Sequence, residues 1–401
     1  MTSDGNINTP HGRVLKAIDA YEAFHGLSKC IRSELYRIKL TSSINIVAGT
    51  SLDDSSSSRD ILSSMRIVPD HLSFECGWMK GDMSINDYFR TARGLAHGVG
   101  RISLEGKKDG DKKGLIILKD RAEKILSPET LHEARVSFYK GVEFNCHSHS
   151  MMEGNAYWAV INKSNNDTLE LKCKKPEQLN VTIDNEPRLA YRFRGAWILE
   201  LFEASMDSSR IPGCAGQETY PVFIQTHAIR RIEERLDCLT RLLMQTVPKQ
   251  ERDNPGIETV MRMTTRAYIR QSLCESLINP EILEFEDSIL LAYRLIGNRI
   301  GYLPFRIIGK IIVLTTFLFI TMDGTPEGKK LHDALKLRRP DKKYLKLDSL
   351  ETFLLSDIKD DSEIVDTLCE CGCGDLFKVS RLPVKSIYRS AELFHKFLPI
   401  R

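Results

Sequence analysis

Three strand-like runs, Ser288 to Leu295, Arg299 to Ile308 and Ile311 to Thr321, are joined by short turns at Gly297-Asn298 and Gly309-Lys310. β-Branched and aromatic residues favour extended backbone, and short glycine-bearing turns set consecutive strands side by side in opposite directions. The segment is thereby committed to an antiparallel meander. Its most apolar part, IIVLTTFLFITM from Ile311 to Met322, is too short to cross a bilayer as a helix. It reads as a buried strand, and no membrane partner is expected. Pro304 has no N–H to give a ladder, which predicts an edge or a bulge in the middle strand.

Helices are expected on either side of the meander. Thr226 can cap a helix in which Ile229, Ile232, Leu236, Leu239 and Leu243 share one side at 100° per residue. His227, Arg231, Glu234, Cys238 and Arg241 fall opposite, flanked by Arg230 and Arg235, and Pro248 ends the run. A second helix is predicted from Ile257 to Ile278, with Arg262, Arg266 and Arg270 at four-residue steps. Thr325-Pro326-Glu327 starts a third. From Pro221 to Lys346 there are 21 Lys and Arg against 15 Asp and Glu, an excess of +6 within a chain of net charge +3. A basic module beside a slightly acidic remainder of about −3 fits a partner of opposite charge.

The string THAIRRIEERL, Thr226 to Leu236, followed by a meander, resembles the helix of the BrnT-like and RelE/ParE-like toxin ribonuclease fold. The resemblance spans about residues 221–335 and implies metal-independent RNA cleavage, in a chain with more than 200 residues in front of the module. Such cleavage needs a base for the 2′-hydroxyl, an acid for the leaving oxygen and cations for the phosphorane. His227 transfers protons near neutral pH, and Glu234 can orient it or share that role. Arg231, with Arg299 or Arg306 from the sheet, can clamp the phosphate. Arg230, Arg262, Arg266, Arg270 and Lys310 are candidate contacts to the RNA backbone. The plain alternative is a solvated helix face with Arg230–Glu234 as an ordinary i,i+4 pair, and a solvated arginine stripe beside it. Lys342, Lys343 and Lys346 form a further basic run, read as a solvated loop.

Two other groupings carry chemistry. Cys369, Cys371 and Cys373, in LCECGCGD, can hold zinc or copper(I) if a fourth ligand such as Cys30 or His332 joins them, or form a turn with reactive thiols. Cys146-His147-Ser148-His149 would put its two histidines on one face of a strand, near Glu143 or Glu153, and is read as a polar strand end or loop. No phosphate-binding loop, dinucleotide fingerprint or His-Glu-x-x-His motif is present.

The rest of the chain is read more coarsely. Val14 to Ile38 forms one or two helices, Ser43 to Gly49 a strand, and Asp53 to Arg59 a loop. Gly106 to Gly114 is a solvated loop or hairpin tip, followed by a strand at Leu115 to Leu118. Ser127-Pro128-Glu129-Thr130 starts a helix. AYWAVI with TLELKCK, and NVTID with RLAYRFR, form two hairpins; AWILELFE is a strand or a short helix. A linker at Asp207 to Glu218 marks a domain boundary.

The fold expected is α+β: an N-terminal α+β region of unknown role at 1–150, a β-rich region and linker at 151–220, the helix-helix-meander module at 221–346, and a helical extension with the three cysteines at 347–401. Ten scattered cysteines and a polar beginning predict a reduced, cytoplasmic setting. The functions weighed are an RNA-directed module, including one that cleaves RNA without a cofactor; a non-catalytic scaffold for protein or nucleic acid; and a metal or redox protein. Cleavage requires His227 and Arg231 to open onto a groove shared with Arg299 or Arg306. A scaffold leaves that face flat or covered.

Overall fold

The computed structural model describes residues 8–38, 44–53, 55–150, 153–197, 199–214, 216, 218–247, 255–335, 347–355 and 361–379. Pro248 and the Lys342, Lys343, Lys346 run lie outside them. The chain is α+β and divides into two compact units, Met1–Glu143 with Ala159–Lys172, and Phe144–Trp158 with Cys173–Arg401. Among the described residues no helix is long and apolar enough to cross a membrane.

The first unit begins with three helices where one or two were expected, α1 (Pro10–Ala17), α2 (Tyr21–His25) and α3 (Lys29–Arg37). Strand β1 (Asn45–Ala48) forms as predicted. The serine run is not a loop but the start of α4 (Ser56–His71): the Ser55 hydroxyl accepts from Ser58 N at 3.2 Å and donates to Asp53 at 2.6 Å. A short ribbon, β2 (Ser73–Phe74) and β3 (Met83–Ser84), leads through a π-helical turn into α5 (Arg93–Arg101).

The expected solvated loop after Gly106 and the strand LIIL are instead one helix, α6 (Asp109–Ile125). Asp109 and Asp111 sit in its first turn, where the helix dipole favours negative charge, and Asp111 accepts from Ser28 N at 2.7 Å. Gly114 is a close-approach residue, since a Cβ there would lie 2.8 Å from Ala23 O. The core of this unit gathers Leu15, Phe24, Leu35, Phe89, Leu115 and Phe138, all fully buried.

Helix α7 (Pro128–His149) starts where Ser-Pro-Glu-Thr predicted, with Ser127 Oγ accepting from Thr130 N at 3.2 Å. It runs through Cys146-His147-Ser148-His149, so this grouping is a helical turn and not a strand end. Strands β4 (Ala156–Asn162) and β5 (Asn165–Lys174) follow, and β5 lies between β4 and β1 in a three-stranded sheet.

The second unit is built on a nine-stranded sheet. Strands β6 (Gln178–Ile183) and β7 (Glu186–Arg192) form the predicted hairpin, turning at Asp184 and Asn185, both with positive φ. AWILELFE is a second small hairpin, β8 (Arg194–Trp197) with β9 (Glu200–Glu203). The predicted linker does not separate domains, because β10 (Ser205–Asp207) and β11 (Thr219–Gln225) pair across it. β11 also pairs with β7, which carries the sheet across the expected boundary at 220.

Helices α8 (Thr226–Leu236), α9 (Cys238–Thr246) and α10 (Pro255–Ile278) come next. The meander then follows as β12 (Ile282–Phe285), β13 (Ser288–Leu295), β14 (Asn298–Ile308), β15 (Ile311–Leu314) and β16 (Leu318–Phe319). The path through the sheet is β12-β13-β14-β15-β11-β7-β6, with β15 and β11 parallel and the other pairs antiparallel.

Pro304 is neither on an edge nor in a bulge, being paired with Leu290 inside β14. Its missing N–H falls opposite the place where the return strand breaks between β15 and β16. There Thr315 donates to Pro304 O from its N–H (2.9 Å) and from its hydroxyl (3.0 Å). The single strand expected from Ile311 to Thr321 is divided at that point, and its apolar residues Ile312, Val313, Leu314, Phe317, Phe319 and Ile320 are buried as predicted.

Helices α11 (Pro326–Leu335), α12 (Leu350–Leu355), α13 (Ser362–Glu370) and α14 (Asp375–Val379) complete the unit. Leu350, Phe353, Leu368 and Leu376 belong to the same core as the meander, so the expected extension is part of the unit and not an appendage.

Candidate functional site

Helix α8 leaves β11 with no loop between them. Gln225 is its N-cap, no side chain caps it, and Thr226 is the first helical residue instead of the predicted cap. Ala228, Ile229, Ile232 and Leu236 are buried in the core, as the 3.6-residue period requires. His227, Arg230 and Glu234 are exposed and Arg231 is half-buried. The expected run to Leu243 is broken at Asp237. Cys238, assigned to the polar face, is buried, and burial pushes its thiol up to about 12.

His227 is held below the ordinary histidine range by partial desolvation and then by Arg231, Arg188 and Arg230, with Glu234 acting in the opposite direction. Arg231 and Glu234 form an i,i+3 ion pair at 3.0 Å, in place of the expected Arg230–Glu234 pair. Arg188 comes from β7 and was not singled out from the sequence. Its approach depends on the pairing of β7 with β11, in which Ala190 lies opposite Gln225.

Arg299 and Arg306, the sheet arginines expected here, have other partners. Arg306 is the cross-strand neighbour of Val313, which packs with Val181, Ile183, Ala190 and Phe223. Arg306 closes on Asp184 at 2.8 Å. Arg299 is held by Glu281 at 3.2 Å and Glu327 at 3.0 Å, with its guanidinium over the Tyr302 ring. Arg299 and Arg306 are thus engaged by carboxylates other than Glu234.

The remaining cations are dispersed. Lys310 pairs with Glu218 at 2.9 Å and Arg262 with Glu258 at 2.7 Å. Arg266 is exposed and lies 3.4 Å from Glu233 on α8. Arg270, expected on the same stripe, is buried at 3% exposure, donates to Arg194 O and lies over the Phe193 ring at 5.5 Å. Gly195 is what lets β8 approach this part of α10: a Cβ there would come within 2.5 Å of Cys274 Sγ.

Cys369 is exposed at the end of α13, whereas Cys371 and Cys373 are buried. Burial, then the nearby Glu327, pushes the Cys373 thiol up to about 12. His332, one suggested fourth ligand, is engaged by Asp323 at 2.7 Å. Among the described residues no group of three or more His, Cys, Asp or Glu is placed to hold a metal ion.

No protein-family model matches the chain, no curated protein is significantly similar to it, and no solved structure matches its fold. Helix α8 and strand β7 together present an exposed histidine among three arginines, at the start of a helix that no side chain caps.

Proposed function

We propose that the second unit is an RNA-directed binding module that meets the phosphodiester backbone through the polar face of α8. The observation carrying this is the grouping of Arg188, Arg230 and Arg231 about the exposed His227. Guanidinium groups match phosphate oxygens in shape and charge. The Arg231–Glu234 pair is half exposed, and surface pairs of this kind are worth about 0–1 kcal/mol, so a phosphate can compete for Arg231. Binding is favoured over cleavage because Arg299, one of the two sheet cations that would have completed the charge on a phosphorane, is held by Glu281 and the buried Glu327.

Cleavage is the second reading. One observation favours it: the lowered pKa of His227 leaves the imidazole unprotonated at neutral pH, the form a general base needs. The test is fluorescent single-stranded RNA mixed with full-length protein in EDTA, followed by anisotropy and by gel. Wild type should bind and leave the RNA intact. Arg188→Ala with Arg231→Ala should weaken binding about tenfold or more and flatten the salt dependence by about two phosphate contacts. Intact, unbound RNA with wild type removes the proposal. RNA cut by wild type and spared by His227→Ala puts cleavage in its place.

A further inference from the structure

Beside the first turn of α8 the same unit holds a cavity of ≈ 260 Å³. Its wall includes Arg230, Arg266 and Arg270 together with Ser148, Ser150 and Thr226. Arg270 is the unusual member. It is almost fully buried, and although one terminal nitrogen donates to Arg194 O, its Nε and the other terminal nitrogen have no hydrogen-bond partner. Burial lowers its pKa to about 10, and the group that offsets this is the Cys274 thiol, not a carboxylate. The side chain is still a cation at neutral pH. An interior charge with open donors is costly unless an opposite charge meets it.

The surroundings extend the same demand. Arg230 is exposed and makes no ion pair among the described residues. The first turn of α8 has no side-chain cap, which leaves the positive end of an eleven-residue helix at the cavity wall, beside Thr226 and Ile229. Two carboxylates also line the space. Glu233 is drawn to Arg266 at 3.4 Å, and Glu153 is exposed. Three guanidiniums and a helix N-terminus therefore face two carboxylates, one already paired and neither acting on Arg270.

We propose that this cavity binds a small phosphate monoester, with the phosphoryl oxygens taken by Arg270, Arg266 and the first turn of α8, and with the Ser150 and Thr226 hydroxyls as further donors. The several oxygens of a phosphoryl group can meet more of these guanidinium and first-turn donors than the two of a carboxylate. The volume is just below the roughly 300–1,000 Å³ usual for ligand pockets, so the organic part is small. The site shares only Arg230 with the RNA proposal, because His227, Arg188 and Arg231 do not line it.

The test is calorimetric titration of full-length protein with methyl phosphate, with acetate and with sodium chloride at matched ionic strength. Methyl phosphate should bind saturably at one site, and the other two should not. Arg270→Met should weaken binding about a hundredfold and Arg266→Ala about tenfold. Arg270→Met should melt within a few degrees of wild type without ligand, because the substitution removes a buried charge as well as its contacts. Arg266 is exposed, so its variant still tests the site if Arg270→Met fails to fold. The proposal is overturned if methyl phosphate binds no better than chloride, if acetate binds equally well, or if Arg266→Ala binds as wild type does. Failure of wild type to bind RNA would bear on the earlier proposal alone.

Discussion

The imidazole of His227 loses its proton more readily than an ordinary histidine because partial desolvation and three arginines all oppose a further positive charge. Its folded pKa lies below the unfolded value, so the unfolded chain binds this proton more tightly. The stability linked to it is complete above the unfolded value of about 6.5 and is lost as pH falls through the folded pKa. The side chain is exposed, so the effect on stability is small and the titration itself is the better readout. The Hε1 resonance should titrate with a midpoint below the ordinary histidine value of about 6.5, and Arg231→Ala should move it upward; a midpoint at or above that value would dissolve the arginine cluster. Gly195→Ala should destabilise the protein by about 1–3 kcal/mol, read as a lowered denaturant midpoint, since the added methyl meets Cys274 Sγ and has nowhere to go. At this scale the sequence disclosed one side of the candidate surface. His227, Arg231 and Glu234 follow from the period of α8, whereas Arg188 needs the pairing of two strands distant in sequence. Arg270 was hidden by arithmetic. A four-residue step overshoots the helical turn by about 40°, so two steps from Arg262 rotate the side chain by about 80°, from solvent into the interior.

Single elements were legible where their polar ends and apolar periods agreed. Ser-Pro-Glu-Thr opened α7 and Thr325-Pro326-Glu327 opened α11 as expected. The Thr325 hydroxyl accepts from Gly328 N at 3.0 Å and has its one proton within reach of the Ile320 and Met322 carbonyls, at 2.6 and 2.7 Å. Thr325→Ala should therefore lower stability by about 1–2 kcal/mol, whereas Thr325→Ser should retain most of it, as chemical denaturation would show. The misread elements fail for one shared reason. Serine and aspartate in Asp53 to Arg59, and aspartate and glycine in Gly106 to Gly114, are residues of turns and of helix starts alike. Only the partner decides: the Asp53–Ser55–Ser58 hydrogen bonds make the first a cap, and the Gly114 contact with Ala23 makes the second a helix face. LIIL is likewise ambiguous, because a four-residue apolar run has no period of its own.

Across the second unit, one polar network ties the C-terminal helices to the sheet. Glu327 on α11 accepts from the Tyr302 hydroxyl at 2.8 Å and pairs with Arg299, while the Arg299 N–H donates to Asp375 at the start of α14. Arg299→Ala should cost about 2–3 kcal/mol, somewhat less than the ~3–5 kcal/mol of a fully buried pair because Arg299 is partly exposed, and Arg299→Lys should recover part of it. The meander was legible, being local. What the sequence hid is the joint that completes the sheet, the parallel pairing of β11 with β15 between Val222 and Ile312. Every helix from α8 to α10 lies between those two strands in sequence, so the joint closes only after that whole stretch has been ordered. Amide protons along β11 and β15 should consequently exchange with deuterium at the rate of global opening, and in refolding they should be among the last to gain protection, after those of the β13–β14 hairpin.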